Sequence, residues 1–174
     1  MRKHLPRSVV VLVFCAVAAF GQQSDWKDYA YPEDGFAISA PVKPTLQKEL
    51  VDTDAGKVEM HVYYVDLGEM SGFSISVYDF SKFGALPVKD LLQGVKNGDV
   101  AGVKGTIVSE KEISLDGAPG IEYEIKEPDG HSRVRCYYVR GKIIVTMSIA
   151  NTALPFHSAT TRLFDSLRFL KPEK

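Results

Sequence analysis

Cysteine, metal-binding patterns and net charge are all scarce in this 174-residue sequence. Cysteine occurs only as Cys15 and Cys136. The histidines stand alone, with no HxxxH pair, and there is no CxxC, so no zinc-type ligand set is spelled out. A formal net charge of −1 gives no global field toward nucleic acid or an anionic membrane. There is no GxSxG, no Ser-x-x-Lys placed for acyl transfer and no GKS/T phosphate loop. These absences leave no catalytic residue, metal site or cofactor site to name. No convincing repeat at a period of about 20–50 residues suggests a solenoid or propeller.

Long apolar runs are also missing, apart from one near the start. "MRKHLPR" carries Arg2, Lys3 and Arg7 and no acid; "VVVLVFCAVAAF" follows, from Val9 to Phe20. A positive start, a short apolar core and small residues at its end are the pattern of an export signal. Twelve residues fall short of the roughly 20 that a membrane-spanning helix needs. Ala19 and Gly21 suit cleavage between Gly21 and Gln22, and cleavage after Ala18 fits as well. Residues 1–21 are thus read as a signal peptide and 22–174 as one domain, periplasmic or extracellular, without a membrane span. Cys15 follows bulky Phe14, where lipid-attachment cysteines prefer small residues, and it leaves with the signal. Loss of three cations takes the formal charge from −1 to −4. With Cys136 alone, the mature chain has no internal disulfide and depends on its core. About 150 residues suffice for that.

What is present is alternation. "SDWKDYAYPEDG" reads as turn residues, "GFAIS" as a short strand and "TLQKELVD" as a second. "KVEMHVYYVDL" sets Val58, Met60, Val62 and Tyr64 on one face and Lys57, Glu59, His61 and Tyr63 on the other. "FSISVYDF" turns Phe73, Ile75 and Val77 inward. The period then changes: Val88, Leu91, Leu92 and Val95 make a helix face, with Pro87 at its start and Gly98 at its stop. "DVAGVKG" reads as a connector. Four more strands follow, in "TIVSEKEISL", "IEYEIKE" and the two halves of residues 131–149. Phe156, Thr160, Leu163, Phe164 and Leu167 predict a closing helix. Long parallel crossovers are missing, so the fold class is α+β, a mostly antiparallel sheet with two helices to cover it.

Weak chemical signals have structural explanations. Glu59 and His61 share a strand face, which is half a metal site and the pattern of a solvated sheet face. "DTDAG" begins like a calcium loop, but Gly56 takes the third ligand place and the glutamate twelve along is missing. The strongest concentration of chemistry is "HSRVRCYYVRGKIIVTMSI". Strand parity puts Cys136 with Val134 and Tyr138 on the core side, as a packed, inert thiol. Arg133, Arg135 and Tyr137 point the other way, toward Glu122 and Glu124 of the preceding strand. With Ile125 opposite Val134, Glu124 faces Arg135, giving a salt-bridged face or arginine stems lying under a helix. The functional alternative is a recognition patch of Arg133, Arg135, Tyr137 and Arg140 for a protein partner. Nucleic acid is excluded, because the neighbouring acids cancel the field.

The order of elements, with "GFAISAP" near the start, "LDGAPGIEYEI" in the middle and "TRLFDSLRFL" at the end, resembles the PsbP-like superfamily over about residues 25–170. That superfamily includes the photosystem II extrinsic P subunit and a Ran-binding nuclear import factor. The resemblance implies an antiparallel sheet flanked by helices, an α/β/α sandwich, and no shared catalytic site. It carries over no motif for Ran or a photosystem. The expected function is an exported, non-catalytic accessory or protein-interaction module of the cell envelope. The alternative is a small-ligand binder or enzyme using a cleft between sheet and helix, lined by Tyr78, Phe80 and Phe83.

Overall fold

The computed structural model describes residues 26–53, 55–68, 71–151 and 155–171. The expected signal segment and its Gly21–Gln22 junction lie outside them. Seven strands form one antiparallel sheet: β3 (Thr45–Thr53), β4 (Gly56–Asp66), β5 (Gly72–Asp79), β6 (Thr106–Leu115), β7 (Ala118–Lys126), β8 (Gly130–Val139) and β9 (Lys142–Asn151). Their order is β3-β4-β5-β9-β8-β7-β6. Neighbours in sequence are mostly neighbours in space, as short turns require. The β8–β9 turn places Arg140 at φ 50° and Gly141 at φ 82°, a two-residue hairpin turn in which the left-handed pair matches the twist of the strands. β3 and β6 are the two edges. Lys48, Glu49 and Asp52 on one, and Glu110, Lys111 and Glu112 on the other, guard them against pairing with other chains.

Both faces of this sheet are buried, by different layers. On one face α1 (Val88–Val103) packs its Leu92 over Tyr123, Ile125, Val134, Cys136, Ile143 and Val145. On the other, Phe73, Ile75, Val77 and Ile144 meet Phe36, Ile38, Leu163 and Phe164. That second layer is a small sheet of β1 (Lys27–Tyr31), β2 (Phe36–Ala40) and β10 (Arg168–Phe169), joined by the short helix α2 (Thr160–Asp165). The antiparallel sheet is thus as expected, while the expected α/β/α layering takes another form: one helix covers one face, and a second sheet with a two-turn helix covers the other.

Several local expectations are corrected. Lys27–Tyr31 is a strand rather than turn residues; it pairs with β2 along its whole length. Gly98 does not stop α1, which runs five residues further through the presumed connector and ends at Lys104 in the left-handed conformation (φ 52°). Tyr63 is buried, because β4 loses solvent on both faces where the small sheet covers it. The closing helix is short. Ser166 hydrogen-bonds to the carbonyls of Leu163 and Ser39, and the chain then leaves helical geometry to pair with β2. Phe156 precedes the helix and packs edge-on against His131 at 4.4 Å.

Candidate functional site

The arginine strand is the first place to look. Tyr123, not Ile125, lies opposite Val134, so Glu124 faces Arg133 and Glu122 faces Arg135. The shift is two residues, which preserves every side chain's face. Arg133 Nε donates to Glu124 Oε1 at 2.8 Å; Arg135 Nε donates to Glu122 Oε2 at 2.6 Å and its other arm to Asp165 at 3.0 Å. Each guanidinium lies 4.9 Å from a phenylalanine ring centre, Arg133 over Phe156 and Arg135 over Phe164. Burial disfavours the Arg135 charge, and the carboxylates of Glu122 and Asp165 more than restore it. Glu122 is correspondingly held below the usual carboxylate range: burial raises it, and hydrogen bonds from Lys111 and Arg135 outweigh that. Tyr137, only 4% exposed, packs edge-on against Phe169. Arg140 sits at the hairpin turn, seven residues from Arg133 or roughly 20 Å along the strand, where it binds the Leu170 carbonyl. Arg133 and Arg135 are therefore brought together, Tyr137 is beneath the surface, and Arg140 is apart. Cys136 is fully buried on the α1 face, and burial pushes its thiol well up.

A second cluster joins the two sheets. Asp34, in the β1–β2 turn and 4% exposed, lies 2.9 Å by both oxygens from His61 Nδ1, while His61 Nε2 lies 2.8 Å from Glu59. Tyr63 donates its hydroxyl to Asp34, and Lys142 donates to the Glu33 carbonyl at 2.5 Å. Two acceptor-only carboxylates on opposite ring nitrogens call for both N–H groups, hence the imidazolium. Burial pulls the His61 pKa down, but the bonds to Asp34 and Glu59 raise it overall. The two acids bind different nitrogens and do not converge on one point. Among the described residues, no group of three His, Cys, Asp or Glu is arranged to hold a metal ion.

The third feature is a cleft of about 680 Å³ between α1 and the β3–β5 half of the sheet. Val51, Met60, Tyr78 and Phe80 form its sheet wall; Leu86, Leu91 and Val95 form its helix wall. It has the size and apolar lining of small-molecule sites, which run from about 300 to 1,000 Å³. Phe83 packs against Phe80, with ring centres 6.1 Å apart. The helix wall is opened by Gly94 and Gly98, where an added Cβ would meet nothing within 4 Å. Each helix-interior glycine costs about 1 kcal/mol relative to alanine. Asp99 also lines the cleft, with the Tyr123 hydroxyl donating to it at 2.5 Å. Burial pushes the Asp99 carboxyl up to about 6, only partly opposed by that hydrogen bond. Asp99 falls in the stretch that the sequence pattern reads as a connector, and lies within α1. The signal for it was its place on the stripe Val88, Leu91/Leu92, Val95: position 99 continues the buried face, and an acid there breaks the pattern.

Comparison with solved structures agrees with this architecture. The solution structure of cyanobacterial PsbP (CyanoP) from Synechocystis sp. PCC 6803 matches 84% of this chain and 93% of its own, with a TM-score of 0.53 and 13% identity. The fold is PsbP-like. No protein-family model and no curated protein matches the sequence. No helix among the described residues of this PsbP-like chain is long and apolar enough to cross a membrane.

Proposed function

We propose that this protein is an exported, non-catalytic accessory module of the cell envelope that works by binding, and that its binding site is the cleft between α1 and the sheet. The cleft carries this reading. It combines ligand-sized volume, apolar walls, a helix lined with glycines that leave space, and a half-buried carboxylate. The arginine face supports it less well, since both guanidinium groups are already engaged by carboxylates and stacked on rings. Recognition by Arg133 and Arg135 would have to break those pairs. The export reading rests on the N-terminal sequence, and the accessory role on the fold.

A thermal-shift screen of small molecules tests the proposal, run on the protein recovered from cells and on a Gly94→Leu/Gly98→Leu variant. Compounds that raise the melting temperature of the wild type but not of the filled variant support the cleft. Hits of equal size in both proteins, or none in either, overturn it. Cell fractionation followed by mass determination of the recovered chain tests export, with Gln22 expected as its first residue.

A further inference from the structure

We propose that the cleft selects small amphiphilic cations, molecules with an apolar body and a protonated amine, whose ammonium group pairs with Asp99. This rests on the cleft being the binding site and names what it takes. Among the described residues, the ionisable side chains that line it are Tyr78 and three carboxylates, Asp52, Asp90 and Asp99, with no lysine, arginine or histidine. Asp52 is paired with Lys57 at 2.9 Å and mostly exposed, and Asp90 is exposed. Asp99 differs: among the described residues its side chain accepts a hydrogen bond from neutral Tyr123, and no cation is paired with it. An ionised carboxylate half-buried beside apolar walls gains from a cation brought to it. An anionic amphiphile would meet three like charges. A neutral one would bury Asp99 further and leave it unpaired.

The same geometry gives pH dependence. Asp99 faces Tyr123 on β7, Cys136 on β8 and Tyr78 on β5, all of which burial holds neutral at and above physiological pH. With its carboxyl at about 6, Asp99 is mostly ionised at pH 7.5. At pH 5 about a tenth of it is. An alkylamine stays protonated throughout.

Calorimetric titration with dodecylamine, dodecanol and dodecanoate, each below its aggregation concentration, separates the possibilities. Expected is dodecylamine binding at least tenfold tighter than dodecanoate at pH 7.5 and weakening about tenfold at pH 5. Asp99→Asn should abolish both the preference and the pH effect while keeping dodecanol binding, and Gly94→Leu/Gly98→Leu should abolish all three. Dodecanoate binding as tightly as the amine, or a preference that survives in Asp99→Asn, overturns the cation assignment and leaves the cleft reading standing. Binding that survives the filled cleft, or no binding of any of the three, overturns both.

Discussion

Replacing Asp99 with asparagine is expected to stabilise the protein at neutral pH and to change little near pH 4. The carboxyl is raised by burial from 3.8 to about 6. Its folded-state pKa thus exceeds the unfolded one, so the folded protein binds the extra proton between about pH 4 and 6. Stability falls as pH rises through that window and stays lower above it. Two pK units correspond to roughly 3 kcal/mol, of which about 2 is a fair expectation after imperfect repacking of the amide. Asparagine has no charge to desolvate, and its amide oxygen still accepts the Tyr123 hydroxyl. Urea denaturation of wild type and variant at pH 4, 5, 6 and 7.5 reads the difference directly, and other titrating groups cancel in the comparison. A midpoint higher by about 1 M at pH 7.5 is expected for a protein of this size, shrinking toward zero at pH 4. A variant no more stable than wild type at pH 7.5, or a gap that does not vary with pH, would refute the burial argument.

Gly94→Ala and Gly98→Ala should each raise stability by about 0.5–1 kcal/mol, seen as higher urea midpoints, because the added methyl meets open space and helix propensity improves. Arg135→Ala should cost about 1 kcal/mol, with the loss reduced in high salt, since it removes a partly screened ion pair and the stacking on Phe164. The His61 imidazole should titrate above its ordinary 6.5 in an NMR pH series. Its raised folded pKa means the stabilisation is fully present below pH 6.5 and lost as pH rises through the folded value, so His61→Gln should be more destabilising at pH 6 than at pH 8.5. Cys136 should react with a thiol reagent only at the rate of unfolding, being fully buried with its thiol pushed well up.

Alternation exposed most of the central sheet to sequence reading. Residues 57–79 and 106–149 repeat with period two, and parity alone put Cys136 on one face and the arginines on the other, although the assumed register was wrong by two residues. Local patterns failed where tertiary contacts decide. β1 is held by its pairing with β2. β10 exists because two residues past α2 meet the open edge of β2. Tyr63 shares a strand face with Lys57, Glu59 and His61, and sequence cannot show that the small sheet covers that end of β4. The same limit hid the Asp34–His61 pair, whose partners are 27 residues apart. Half of the cleft is legible: of the expected lining Tyr78, Phe80 and Phe83, the first two line it and Phe83 does not, and the sequence pattern cuts the helix wall short at Gly98.

That misplaced boundary bears on function. A helix built only to cover a sheet would continue the stripe Val88, Leu91, Val95 with another apolar residue and fill the adjacent positions with strong helix formers. α1 instead carries glycine at 94, 98 and 102 and aspartate at 99, and three of these four departures, Gly94, Gly98 and Asp99, line the same cleft. Each departure lowers stability by its own route: the glycines through backbone entropy, the aspartate through desolvation. Independent errors would scatter over the molecule. Departures that converge on one cavity mark a place where stability is exchanged for something else, as it is at binding and catalytic sites. Here the exchange leaves space and an unpaired negative charge, and an apolar ligand bearing a cation fits both.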